Sequence, residues 1–131
     1  MMQTIEQLRA KHALEKICNP DGSVKELKDK YKSYVSALPA NILQNGFGQA
    51  MAMELAADKD KGTAHKELYK HIQSWLCDEK TTNPNTPYKG KPELIMAIVN
   101  GKQSDYIQAQ TEVMAYLEWL KKFAAAYLTD D

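Results

Sequence analysis

The side chains best placed to do chemistry are lysines. Sixteen of the seventeen basic residues are lysine and the other is Arg9. Lys25, Lys28 and Lys32 fall at i, i+3, i+7, and Lys66 and Lys70, with Gln73, repeat a similar spacing. Lys121 and Lys122 form a third group. A row of this kind is a ridge of flexible point charges suited to phosphate, whereas bidentate reading of bases favours arginine. The plain alternative is a solvated helix face, which Glu26 and Lys30 in the favourable i, i+4 order support. If the rows do bind a strand, lysines from three helices should meet on one elongated face.

Two further features carry binding potential. Around Asn45-Gly46-Phe47-Gly48-Gln49, two glycines sit where each costs about 1 kcal/mol relative to alanine in a helix interior. Asn45, Gly46 and Gln49 therefore mark either a surface that another backbone approaches closely or a turn, with Gly46 in the left-handed position after a helix end. Near the C-terminus, Tyr116, Trp119 and Phe123 form a second apolar row beside the core stripe Tyr106, Val113, Leu117, Leu120 and Ala124. These three aromatics are core residues or contacts to another protein.

Catalytic constellations are inconspicuous. His12, His65 and His71 include no i, i+4 pair, and neither H-E-x-x-H, a glycine-rich phosphate loop, an EF-hand loop nor G-x-S-x-G occurs. No metal or cofactor is expected, and a binding protein is favoured over an enzyme.

The elements that must position these residues follow from periodicity. The chain of 131 residues, 44% hydrophobic and 26% charged with zero formal net charge, suits one globular domain over residues 1–131. That balance excludes a generally basic nucleic-acid coat protein; any attraction for a polyanion must be local. Thr4-x-x-Gln7 predicts a capping box opening a helix through Cys18, and Asn19-Pro20-Asp21-Gly22 a turn. Ser23-x-x-Glu26 predicts a second box and a helix to Leu38, after which Pro39 begins another. Asp58–Gly62 breaks that helix, Thr63 caps one through Glu79, and residues 80–91 form a flexible loop. A short helix after Pro92 ends near Gly101, and Ser104 caps the longest helix, to about Leu128. The expected fold is all-α, a compact bundle of five or six helices. Cys18 and Cys77 read as buried, reduced thiols, the N-terminus lacks a signal-peptide pattern, and no apolar run approaches the ~20 residues of a membrane span. A cytoplasmic location is expected.

With these elements laid out, the stretch Lys30–Leu55, KYKSYVSALPANILQNGFGQAMAMEL, resembles the signature of the small all-helical subunit of the type III-B (Cmr) CRISPR effector complex. That family carries Ile-x-x-Asn-Gly-Leu-x-Gln, filled here by Ile42, Asn45, Gly46, Phe47 and Gln49, with phenylalanine in the leucine place. Its Leu-x-Trp-Leu-Lys-Arg-Phe-Ala ending is similar to Leu117–Ala124, with lysine at 122. Leu68-Tyr69 and Trp75-Leu76 resemble the helix between. Where the family often has arginines and a threonine after the tyrosine opening the last helix, this chain has Ile107, Gln108 and Gln110. The resemblance implies a non-catalytic subunit, several copies of which stack beside other subunits along guide RNA paired with target RNA. Lys25, Lys28, Lys32, Lys66, Lys70, Lys121 and Lys122 would then touch phosphate. A reading from a different class remains: a helical adaptor that docks a protein through its aromatic face without meeting RNA.

Overall fold

A computed structural model describes residues 2–19, 23–57 and 63–129. They form six α-helices: α1 (Ile5–Cys18), α2 (Lys28–Asn45), α3 (Phe47–Ala57), α4 (Ala64–Cys77), α5 (Leu94–Asn100) and α6 (Gln103–Tyr127), with a 3-10 turn at Ser23–Lys25 before α2 and no strand among the described residues. The all-α expectation holds.

Local signals start α1 and α4 as the sequence suggests. The Thr4 hydroxyl accepts from the Gln7 amide at 3.1 Å while the Gln7 side chain accepts from the Thr4 amide at 2.8 Å, a reciprocal capping box. Thr63 caps α4 by accepting from the Lys66 amide.

Three boundaries differ. The second helix starts at Lys28, after the 3-10 turn and without a side-chain cap, so the box expected at Ser23 does not open it. It also runs through Pro39 to Asn45 instead of stopping at Leu38. Proline removes one helical hydrogen bond and crowds the preceding turn. Here the helix persists because Leu38 and Ile42, on either side of Pro39, are both buried, and packing outweighs local propensity. The last helix begins at Gln103 with Lys102 as its N-cap, ahead of the expected Ser104. The turn expected at residues 19–22 and the break at 58–62 lie mostly or wholly outside the described residues.

One cluster of buried side chains draws on every helix and includes Ile17, Tyr31, Phe47, Leu68, Trp75, Leu94, Tyr116 and Leu120. Cys77 belongs to it, its thiol pushed up to about 12 by burial. Cys18, at the last position of α1, is exposed, contrary to expectation; both thiols are free.

Residues 80–91 have no helix but many anchors. The Thr81 hydroxyl and the Asn83 amide both donate to the Trp75 carbonyl, at 2.8 and 3.3 Å, and the Thr86 hydroxyl donates to Leu76 at 2.6 Å. These bonds satisfy carbonyls that the last turn of α4 would otherwise leave unpaired. Tyr88 is buried, and the Gly90 amide donates to Cys77 at 2.8 Å. Among the described residues no helix is long and apolar enough to cross a membrane.

Candidate nucleic-acid interface

The polar residues buried in the core decide how α6 sits, and therefore which surface its lysines share. Glu112, 2% exposed, accepts from Arg9 at both carboxylate oxygens, at 2.7 and 2.8 Å, and from the Trp75 indole at 3.0 Å. Arg9 also pairs with Glu6 on its own helix. The His12 ring lies 2.5 Å from the Tyr116 hydroxyl through Nδ1 and 3.0 Å from the Ser74 hydroxyl through Nε2. Tyr116 in turn stacks on Trp75, ring centroids 5.3 Å apart. A second buried pair joins α2 to α4, the Tyr31 hydroxyl lying 2.6 Å from His71 Nδ1. Burial, helped by the nearby Lys16, lowers His12 to about 4; the same causes lower His71 to about 3. Both rings are neutral at physiological pH and act as struts between helices.

Those contacts set the faces. Glu112, Tyr116 and Trp119 mark the side of α6 that meets α1, the Trp119 indole donating to Glu6 at 3.2 Å. At 3.6 residues per turn, Lys121 projects from the opposite flank, toward α2. On α2, Tyr34 marks the α4 side by stacking on His65, centroids 3.6 Å apart. Lys28 and Lys32 occupy the other flank, toward α6. The two helices run antiparallel: the Tyr106 hydroxyl meets Gly46, while Tyr116 lies beside Tyr31. Continuing that register along the two helices brings Lys121 level with Lys28. Lys28, Lys32 and Lys121 thus share one end of the α2–α6 seam, while the 3-10 turn that carries Lys25 packs against α2 and α4. Lys25 and Lys121 are exposed, and Lys28 and Lys32 are half-buried.

The remaining lysines do not join them. Lys66 and Lys70 lie on the face of α4 opposite Leu68, Ile72 and Trp75, and those three residues point into the core. The pair must therefore face away from the α2–α6 seam. Lys122 projects from the outer face of α6, opposite the buried Val113, Leu117 and Leu120. The single face expected from three helices is replaced by three lysines at one end of the α2–α6 seam and separate outlying charges.

At the other end of the seam, Asn45, Gly46 and Gln49 form the junction of α2 and α3. Gly46 has φ +89°, and its amide donates to the Ile42 carbonyl at 2.7 Å. The turn lets α6 reach the first amides of α3: Phe47 N–H donates to Gln110 Oε1 at 3.1 Å, and Gly48 N–H to the Tyr106 hydroxyl at 2.8 Å. A Cβ on Gly46 would stand 3.1 Å from that hydroxyl, and one on Gly48 would be 3.4 Å from Ile98 and Tyr106. The close approach that these glycines permit is thus made by the chain's own Tyr106 and α5, so the turn-and-packing reading of Gly46 prevails over a ligand backbone there. Asn45 bonds to Asn41 at 2.6 Å, and Asn45 and Gln49 are exposed. Gly46→Ala is expected to cost about 1–2 kcal/mol, from a positive φ that alanine disfavours and a crowded hydroxyl. Thermal unfolding of the variant measures it, and an unchanged midpoint would show that the turn adapts freely.

Tyr116 is a correction to the expected contact row: it is fully buried between His12 and Trp75, so its ring offers nothing to a neighbouring subunit. Trp119 and Phe123 are half-buried, centroids 5.6 Å apart, and the row continues at 6.1 Å to Tyr127, which is 53% exposed. Sequence spacing could have found Tyr127, one helical turn after Phe123. It offered no sign of the Arg9–Glu112 pair. Among the described residues no group of three or more His, Cys, Asp or Glu could hold a metal ion.

Comparison with known proteins agrees with this architecture. The family described as CRISPR-associated protein (Cas_Cmr5) matches residues 5–127. The CRISPR system Cmr subunit Cmr5 of Thermus thermophilus is 28% identical over 129 residues, covering 98% of this chain and all of that one. The crystal structure of a CRISPR-associated Cmr5 family protein from the same organism superimposes with a TM-score of 0.68 at 28% identity, over 95% of this chain and 97% of that one.

Proposed function

Because the chain belongs to the Cmr5 family of CRISPR-associated proteins, we propose that it is the small, non-catalytic subunit of a type III-B effector complex. In this reading it lines, in the cytoplasm, the groove that holds guide RNA paired with target RNA. The observation that carries the reading is the grouping of Lys28, Lys32 and Lys121 at one end of the α2–α6 seam. Lysine on phosphate is indifferent to sequence, and in an RNA-guided complex pairing with the guide supplies the sequence. A chain with no net charge binds RNA weakly by itself. Useful affinity arises when copies stack and each adds a few contacts to one strand. The Trp119–Phe123–Tyr127 row supplies an apolar surface for neighbouring subunits. Lys66 and Lys70, on the outer face of α4, and Lys122 serve a second strand or none.

The test is salt dependence in the assembled complex. Lys28→Glu with Lys32→Glu should weaken target RNA binding and reduce the slope of log affinity against log salt by roughly 0.7–0.9 for each phosphate no longer neutralised. Lys66→Glu with Lys70→Glu should change the slope less. An unchanged slope in the first variant would remove the seam from the RNA path. The exposed aromatic row favours a second reading, an adaptor that meets only protein. RNA protection by the complex that is equal with and without this chain would support it instead.

A further inference from the structure

The end of α3 meets α4 through one carboxyl group in an apolar recess. Glu54, in the last turn of α3, is 6% exposed. Its Oε2 lies 2.9 Å from Nδ1 of His65, in the first turn of α4. The other oxygen, Oε1, is buried and has no hydrogen-bond partner among the described residues. Leu38 of α2 and Met53 and Ala57 of α3 line the same recess. The His65 ring is held in turn by the Tyr34 ring of α2, stacked on it at 3.6 Å with 14° between the planes. A buried carboxylate with one bare oxygen depends on its single counter-charge far more than an exposed one does.

The elements around Glu54 add few other charges. α3 has no second titratable side chain, and α5, which packs on it, has none. α2 contributes Tyr34 and the neutral Asn41 to the recess. On α4, His65 is followed by Lys66 and Glu67, opposite in sign. The sequence joining α3 to α4 carries Asp58, Lys59, Asp60 and Lys61, two of each sign. We propose that Glu54 and His65 form a proton-held clasp: one proton between Oε2 and Nδ1 fastens the last turn of α3 to α4, and its loss releases that turn. With the proton on either atom the pair is neutral overall. Without it, a full negative charge lies in the recess with one oxygen bare and no counter-charge, so the carboxylate gains by moving to water. Burial already holds the Glu54 carboxyl above its usual range, with His65 opposing. Release is confined to the last turn, because Gln110 and Tyr106 hold the first amides of α3 separately. The inference does not depend on the RNA contacts proposed above.

The sign of the pH dependence follows from counting protons. Once released, the two groups behave as free ones, a carboxyl losing its proton near about 4.3 and an imidazole near about 6.5. Between those values the released pair holds one proton, as the clasp does, and fastening is indifferent to pH. Above about 6.5 the released pair holds none while the clasp keeps one, so opening grows by up to about tenfold per pH unit. The test is amide hydrogen exchange of the labelled full chain from about pH 6.5 to about pH 8.5, read as protection relative to an unstructured chain. Protection at Leu55, Ala56 and Ala57 is expected to fall at least about tenfold across that range, while Leu117 and Leu120 in the core of α6 keep theirs. Glu54→Gln keeps the shape and a donor for Nδ1 but cannot titrate, so its profile should be flat. Should that variant fail to fold, the wild-type contrast between the end of α3 and α6 decides alone. The clasp is overturned if wild-type protection at the end of α3 is flat, if it falls equally in every helix, or if a folded Glu54→Gln shows the same fall.

Discussion

Glu112→Ala is expected to lower the unfolding free energy by about 3–5 kcal/mol, the usual cost of removing one partner from a buried ion pair. For a chain of this length that is a fall in Tm of roughly 10–20 °C. Three groups lose an acceptor together: the Arg9 guanidinium, left with Glu6 alone, the Trp75 indole and the Asn85 amide, which reaches the carboxylate at 3.3 Å. Arg9 cannot escape to water easily, since its side chain is only 13% exposed. It cannot discharge either, because a guanidinium stays protonated even without its carboxylate partner. Glu112→Gln should fall between wild type and alanine, keeping an acceptor for Trp75 while losing the charge. Replacing both partners with apolar residues, Arg9→Met with Glu112→Leu, should recover much of the loss, because no charge is then left buried. Urea unfolding of the four proteins decides it. A loss below about 1 kcal/mol for Glu112→Ala would mean that the pair behaves as an exposed one.

Acid should destabilise the fold steeply. His12 and His71 have ordinary values of 6.5 and are lowered by burial to about 4 and about 3. Their folded forms therefore stay neutral while the unfolded chain takes up protons below pH 6.5. Stability from these two groups is fully present above that value and falls as pH drops through the window down to about 4 for His12 and about 3 for His71. With both titrating only in the unfolded chain, the slope approaches ~2.7 kcal/mol per pH unit, ~1.4 for each proton. Groups facing these rings include Ser74, Tyr116, Tyr31, Lys16, Glu67 and Asp78. Glu54 acts in the opposite direction: burial holds its carboxyl above the usual range, so it favours the fold as pH falls, an effect reduced by its 2.9 Å bond to His65. Urea unfolding followed from about pH 7 to about pH 4 measures the sum. A flat profile between about pH 6.5 and about pH 5 would mean that the two rings protonate without disturbing the core.

Both expectations rest on residues that single helices do not advertise. Arg9 and Glu112 are 103 positions apart, and His12 and Tyr116 are 104 apart. On its own helix His12 reads as a core-edge residue. Only when α1, α4 and α6 close together do its two ring nitrogens find Ser74 and Tyr116. The lysines show the same division. The i, i+3, i+7 row on the second helix is legible in the sequence, and so is the pair on the fourth. What their spacing cannot show is which flank turns toward which neighbour. Tyr34 against His65 sends Lys28 and Lys32 toward α6, while Leu68, Ile72 and Trp75 send Lys66 and Lys70 outward.

The all-helical class, the capping box at Thr4, the cap at Thr63 and the turn at Gly46 are all written in the order of residues along the chain. Each of these depends on residues within a few positions of one another, where periodicity, capping hydrogen bonds and backbone torsions act. Only the assembled helices settle that α2 continues through Pro39, that Tyr116 is core, that Lys28, Lys32 and Lys121 gather at one seam while the other lysines do not, and that Tyr88 lies buried with its hydroxyl unsatisfied among the described residues. Those outcomes follow from burial shared among distant segments, and the free energy of burial depends on the assembled surface rather than on local order along the chain.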